Sequence, residues 1–190
     1  MQGIRTAMRL GMIGLTFLIA ACASTSTFTT YNKDMAAGKQ FLRMGDYNAA
    51  RTDFLKAAET GNRPEALAFA ATASYKASDF PTAGRYIAEA ERTGRLDYSY
   101  FRVTGYKALV LLQEGKKEEA LKALGEYVKA YRSSYGSTTL QDVEYMWKRG
   151  NVDLPKLEKL IEQQVTEYED AVDWYYRTGT GSFDKKGGKS

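Results

Sequence analysis

The chain has 190 residues, 44% hydrophobic and 26% charged, a balance that suits one folded domain with short appendages and excludes wholesale disorder. Its formal charge of +4 is partly terminal: residues 1–21 carry two arginines and no acid, and without them 25 basic residues face 23 acidic ones, a net of +2. That is no footprint for a nucleic-acid binder. The absence of histidine excludes imidazole as general base, proton shuttle, pH sensor or metal ligand.

Residues 1–9 hold Arg5 and Arg9, and an apolar run follows from Leu10 to Ala21, ending in small residues. This is the basic, apolar and small-residue order of a secretory signal. The run of about 12 residues is far below the ~20 that a membrane-spanning helix needs. Cys22 is the single cysteine, so no internal disulfide can form. Ile19-Ala20-Ala21-Cys22 resembles the lipobox of bacterial lipoproteins. The resemblance implies removal of residues 1–21 and lipidation of Cys22. Several acyl chains, such as palmitate, would then hold the protein stably on a membrane. Ala23 stands where Asp would signal inner-membrane retention, which implies the outer membrane, facing the periplasm. Residues 22–30, rich in Ser and Thr, read as the lipidated cysteine and a tether.

From Tyr31 the pattern predicts an all-α chain, with helices near 32–44, 47–60, 65–77, 81–93, 99–114, 117–132, 139–149 and 154–177. No segment alternates as a strand would. Gly61-Asn62 ends one helix and Pro64 suits the first turn of the next. Thr138 with Gln141 suits a capping box, and Asp153-Leu154-Pro155 a helix start. A frame recurs. Gly38, Ala71 and Ala108 each precede Ala50, Ala83 and Ala120 by twelve residues, and a large apolar residue (Phe54, Ile87, Leu124) follows four later.

These residues resemble the tetratricopeptide repeat, a helix–turn–helix of about 34 residues. The first unit matches at Gly38, Phe41, Gly45, Tyr47, Ala50, Phe54 and Ala57. The second matches at Leu67, Ala71, Ser78, Phe80, Ala83, Ile87 and Ala90, and the third at Ala108, Leu111, Gly115, Ala120 and Leu124. The small residues let paired helices approach, and each unit leaves apolar surface that only a neighbour can bury. The resemblance implies a short solenoid over residues 31–132. Residues 133–178 then read as a capping pair of helices and 179–190 as a disordered basic tail.

There are departures. The step from Ala83 to Ala120 is 37 residues against 33 for the step before it, and no proline closes the units. Tyr127 replaces the small residue expected after Leu124, which predicts a loosened third unit. In the last helix Leu154, Leu157, Ile161, Val165, Tyr168, Val172 and Tyr175 form one apolar stripe, expected to cover the open end of the stack. At ~24 residues it would span ~36 Å, so Trp174, Tyr175 and Tyr176 near its end are expected to project as a partner surface.

No phosphate loop or dinucleotide fingerprint is present, no nucleophile–histidine pair is possible, and neither a metal nor a cofactor is expected. Glu118, Glu119, Glu167, Glu169 and Asp170 are the candidates for glycan chemistry, which needs two acids ~5–10 Å apart. Carboxylates on helices are more often solvated, so the expectation is a protein that is not an enzyme. By resemblance, the first helix of each unit lines a concave groove that takes peptide segments. Its positions here are Met35, Lys39, Leu42, Arg43, Ala68, Thr72, Tyr75, Lys76, Arg102, Gly105, Leu109 and Leu112. Lys39, Arg43, Lys76 and Arg102 make that face cationic, suited to acidic segments of a partner. The expected function is a periplasm-facing scaffold or assembly factor for an envelope machine. The alternative is a peptidoglycan-acting or glycan-binding envelope protein.

Overall fold

A computed structural model of the chain describes residues 27–93, 96–134 and 140–178. Within them the chain is helical throughout, without strands. Helix α1 runs to residue 44 and is already helical at residue 27. It is followed by α2 (Tyr47–Thr60), α3 (Arg63–Lys76), α4 (Phe80–Thr93), a 3-10 turn (Asp97–Ser99), α5 (Tyr100–Gln113), α6 (Lys117–Ser134), α7 (Leu140–Arg149) and α8 (Leu154–Thr178). Cys22, the leader and the tail from residue 179 lie outside the described residues, as does Thr138 of the expected capping box.

The sequence placed the first helix too late. Residues 27–30, read as the end of a tether, already belong to α1. The Ser/Thr-rich composition hid this, because β-branched residues are poor helix formers unless packing supports them. Tyr31 supplies that support. Its ring lies against Gly61, where a side chain would collide with it, and its hydroxyl donates to Glu65 Oε2 at 2.6 Å.

Short connections make successive helices antiparallel neighbours, with α2, α3 and α4 packed in sequence and α5 against α6. One turn recurs. After α1, the Gly45 amide donates to Leu42 O and the Asp46 amide to Phe41 O; after α3, Ser78 to Tyr75 O and Asp79 to Ser74 O. After α5, Gly115 donates to Leu112 O and Lys116 to Leu111 O. All three close the helix with a residue in the left-handed region, at φ 79°, 61° and 75°. Their spacing of 33 and 37 residues follows Ala50, Ala83 and Ala120, each at most 1% exposed. Gly38 shows why a small residue is needed: a Cβ there would stand 2.6 Å from Phe54.

The last two helices pack mainly on different neighbours. Helix α7 packs on α6, where Gly125 admits the Trp147 indole, and α8 returns across α5 with little contact to α7. Tyr127 explains the route. Instead of loosening the third unit it is fully buried, stacks on Tyr131, and donates to Gln164 Oε1 of α8 at 2.9 Å. Tyr131 donates to the Gln164 carbonyl at 3.2 Å. A large polar-tipped ring here is a seat for the last helix.

Candidate functional site

The face formed by α1, α3 and α5 carries the four cations singled out in the sequence. Helix α8 lies along its α3–α5 part and divides them into two pairs.

Lys76, at the end of α3, donates to Glu158 Oε1 at 2.9 Å and to Glu162 Oε2 at 2.6 Å. Burial pulls its ammonium down, but the bonds to the two glutamates outweigh this and hold it above the ordinary lysine value. Arg102, in the first turn of α5, is 7% exposed. Its Nε and Nη2 donate to the two oxygens of Glu169 at 2.8 and 2.7 Å, Nη1 donates to Thr72 Oγ1 at 3.1 Å, and the guanidinium lies 4.0 Å from the Phe69 ring centre. Burial alone would lower its basicity; Glu169 more than restores it. A two-pronged guanidinium–carboxylate pair of this kind fixes orientation as well as charge.

Between these anchors the helices touch. Gly105 lies beneath Ile161, whose Cγ2 would be 2.7 Å from an added Cβ. Tyr75 is 3% exposed; its ring meets Tyr106 edge to face at 5.5 Å, and its hydroxyl donates to Glu158 Oε2 at 3.2 Å. Leu109, at 0% exposure, is fully internal. Tyr75, Leu109 and Arg102, expected on an open groove, are therefore core residues, and Lys76 is charge-paired. The correction has a simple cause: α8 carries a stripe of acids complementary to this face. Glu158, Glu162 and Glu169, at steps of four and seven, fall on one side of a helix. In the sequence the apolar stripe of α8 overshadows this acidic one, although the opposed signs are legible.

The α1 part of the face stays uncovered. Arg43 is exposed and Lys39 half-buried, its ammonium 4.7 Å from the Phe69 ring centre. Neither makes an ion pair among the described residues. Leu42 is half-buried beside them, and Met44, at the end of α1, is exposed. Met35 is buried against the core.

A cleft of ≈ 180 Å³ opens between α1, α3, the 3-10 turn and the end of α8, lined among others by Lys39, Phe69, Tyr98, Glu169, Asp173 and Tyr176. Tyr98 and Tyr176 meet hydroxyl to hydroxyl with their rings edge to face. At the end of α8, Trp174 and Tyr176 are 57% and 63% exposed, and Tyr175 is half-buried with its ring edge to face with Tyr176. Tyr98 was not foreseen as part of this group.

Of the candidate acids, Glu118 and Glu119 stand exposed in the first turn of α6, and Glu167 accepts from Gln163 on the same helix. Asp170 is exposed, and Glu169 is committed to Arg102. No group of three or more Cys, Asp or Glu residues among those described is placed to hold a metal ion, and none of their helices is long and apolar enough to cross a membrane. Comparison with protein-family models, with curated proteins and with solved structures finds no match to this chain.

Proposed function

We propose that this chain is a tetratricopeptide-like lipoprotein, anchored through Cys22 to the periplasmic face of a bacterial outer membrane. It acts without catalysis, as a scaffold or assembly factor that holds another envelope protein near the membrane. The recurring turn and the buried small-and-large frame support the repeat reading. The lipobox-like residues at the end of an apolar leader support the anchor. Confinement to a surface suits a scaffold, since it raises effective concentration without a strong interface.

One observation carries the choice of docking surface. The chain's own acidic amphipathic helix neutralises Lys76 and Arg102, whereas Lys39 and Arg43 on the same face make no ion pair among the described residues. A partner segment of α8-like chemistry, acidic with an apolar stripe, fits the uncovered α1 edge beside Leu42 and Met44. The test is gentle detergent extraction of the native protein and mass spectrometry of what co-purifies, repeated with Lys39→Glu/Arg43→Glu. The expected result is a stoichiometric envelope protein that is lost from the variant while helicity is unchanged. Retention of the partner by the variant would overturn the assignment of this edge. Recovery of the wild-type protein alone would count against the scaffold reading.

A further inference from the structure

The large apolar side chains that remain exposed are not scattered. Six are exposed among the described residues: Phe28, Met44, Tyr98, Tyr145, Trp174 and Tyr176. Four of them gather at one end of the molecule. Helix α8 runs opposite to α3, with Glu158 and Glu162 at Lys76 in the last turn of α3 and Val172 and Tyr176 beside Glu65 in its first. The final turns of α8 therefore reach the end where α3 and α5 begin, and Tyr176 meets Tyr98 there. Helix α1 begins at that same end, because Tyr31 is fixed to Gly61 and Glu65. Phe28 lies one turn before Tyr31 and is 67% exposed.

The position of the anchor bears on this end directly. Since α1 is helical from residue 27, only Ala23, Ser24, Thr25 and Ser26 separate it from Cys22. Fully extended, the five steps from Cys22 to the helix span at most about 17 Å. A lipid on Cys22 thus holds the first turn of α1, and the aromatic group beside it, close to the membrane surface. Tryptophan and tyrosine favour that boundary, with the ring body in the apolar layer and the polar tip in water.

We propose that the end formed by Phe28, Tyr98, Trp174 and Tyr176 rests in the headgroup layer of the membrane that carries the lipidated cysteine. The inference depends on the lipid-anchor reading and adds a fixed orientation to it. Charges of both signs lie beside the group: Asp97, Asp173 and Arg177 adjoin its residues in the chain, and Lys39 and Glu65 share the cleft with Tyr98 and Tyr176. This suits a largely zwitterionic surface better than a strongly anionic one. With this end down, α1 rises from the membrane, and its last residues, Arg43 and Met44, stand about 24 Å above Phe28 at 1.5 Å per residue. The open cationic edge then faces the periplasm, where a partner can reach it.

The experiment uses the full chain expressed with its leader, carrying Trp147→Phe so that Trp174 is the only tryptophan. The protein is reconstituted into phosphatidylethanolamine–phosphatidylglycerol vesicles containing lipids brominated near the headgroup. The expected result is a blue-shifted Trp174 emission that the brominated lipid quenches, with little change in quenching between low and moderate salt. Unshifted, unquenched emission from vesicle-bound protein would overturn the proposal while leaving the anchor intact. Failure of the anchor is read separately, from whether the wild-type chain stays with membranes and Cys22→Ser leaves them. If the anchor fails, the same vesicles are added to the free protein, and absence of quenching there overturns the contact as well. Should Trp147→Phe not fold, the difference in quenching between the wild-type chain and Trp174→Phe gives the same answer.

Discussion

Two halves of one cationic face differ in what covers them. On the α3–α5 half, Lys76 and Arg102 are partnered by α8 and enclosed with Tyr75 and Leu109. On the α1 half, Lys39 and Arg43 stay in reach of solvent. The four residues look alike in sequence, so their roles follow from the neighbour and not from the residue type. A buried cation whose partner is removed is strongly destabilising, whereas an exposed one contributes little to stability and remains available for binding.

The sharpest test of the covered half is Arg102→Ala. It removes both bonds to Glu169 and the stacking on Phe69, and leaves a half-buried carboxylate without its cation. The expected cost is about 3 kcal/mol, measured as a lower urea midpoint with unchanged slope. A variant as stable as the wild type would mean that α8 is not held through this pair.

Gly105→Ala should follow, at about 2 kcal/mol, because the added methyl must displace Ile161 in a packed seam. A neutral result would show α8 riding higher on α5 than the structure places it.

Tyr106 tests the same seam in the opposite direction. Its hydroxyl is buried without a hydrogen-bond partner among the described residues, so Tyr106→Phe should stabilise the fold by about 1 kcal/mol. Burial pushes the phenols of Tyr106 and Tyr168 up to about 12. A raised value means that the fold prefers the neutral phenol. That contribution is complete below the unfolded value of about 10 and is lost as pH rises from there towards about 12. Alkaline unfolding followed by phenolate absorbance and circular dichroism should fall in this window, and Tyr106→Phe should move it upward. Phenolates that form with the helices intact would contradict the burial.

The smallest effects belong to the open half. Arg43→Ala should change stability by no more than about 0.5 kcal/mol. Lys39→Ala should cost at most about 1 kcal/mol through its contact with Phe69. A larger loss from either would place these side chains in the fold and remove the contrast with Lys76 and Arg102.

Much of the architecture was written locally. Helices fell close to their expected bounds because their start and stop signals act within a few residues: Gly45 and Gly115 adopt the left-handed cap, and the Asp153 carboxylate accepts from the Lys156 amide at the start of α8. The frame of Gly38, Ala50 and Phe54 was equally legible, since close approach of two helices demands a small residue facing a large one. Two of the three aromatic residues expected to project at the end of α8 are exposed. The early start of α1 was not legible. It depends on Tyr31 reaching Glu65, 34 residues away, against the weak propensity of the residues before it.

Resemblance to a repeat implied the basic face along α1, α3 and α5; by itself, the sequence determined an all-α chain, the order and length of most helices and the recurring turn. These follow from hydrogen bonds and side-chain periods that operate within one or two turns. Only the tertiary structure decided where α8 lies, and therefore which half of that face is enclosed. That choice rests on pairs such as Arg102–Glu169 and Lys76–Glu158, separated by 67 and 82 residues. Any of several acids could have met those cations in principle. Packing at Gly105, Tyr127 and Gln164 selects the register in which these ones do.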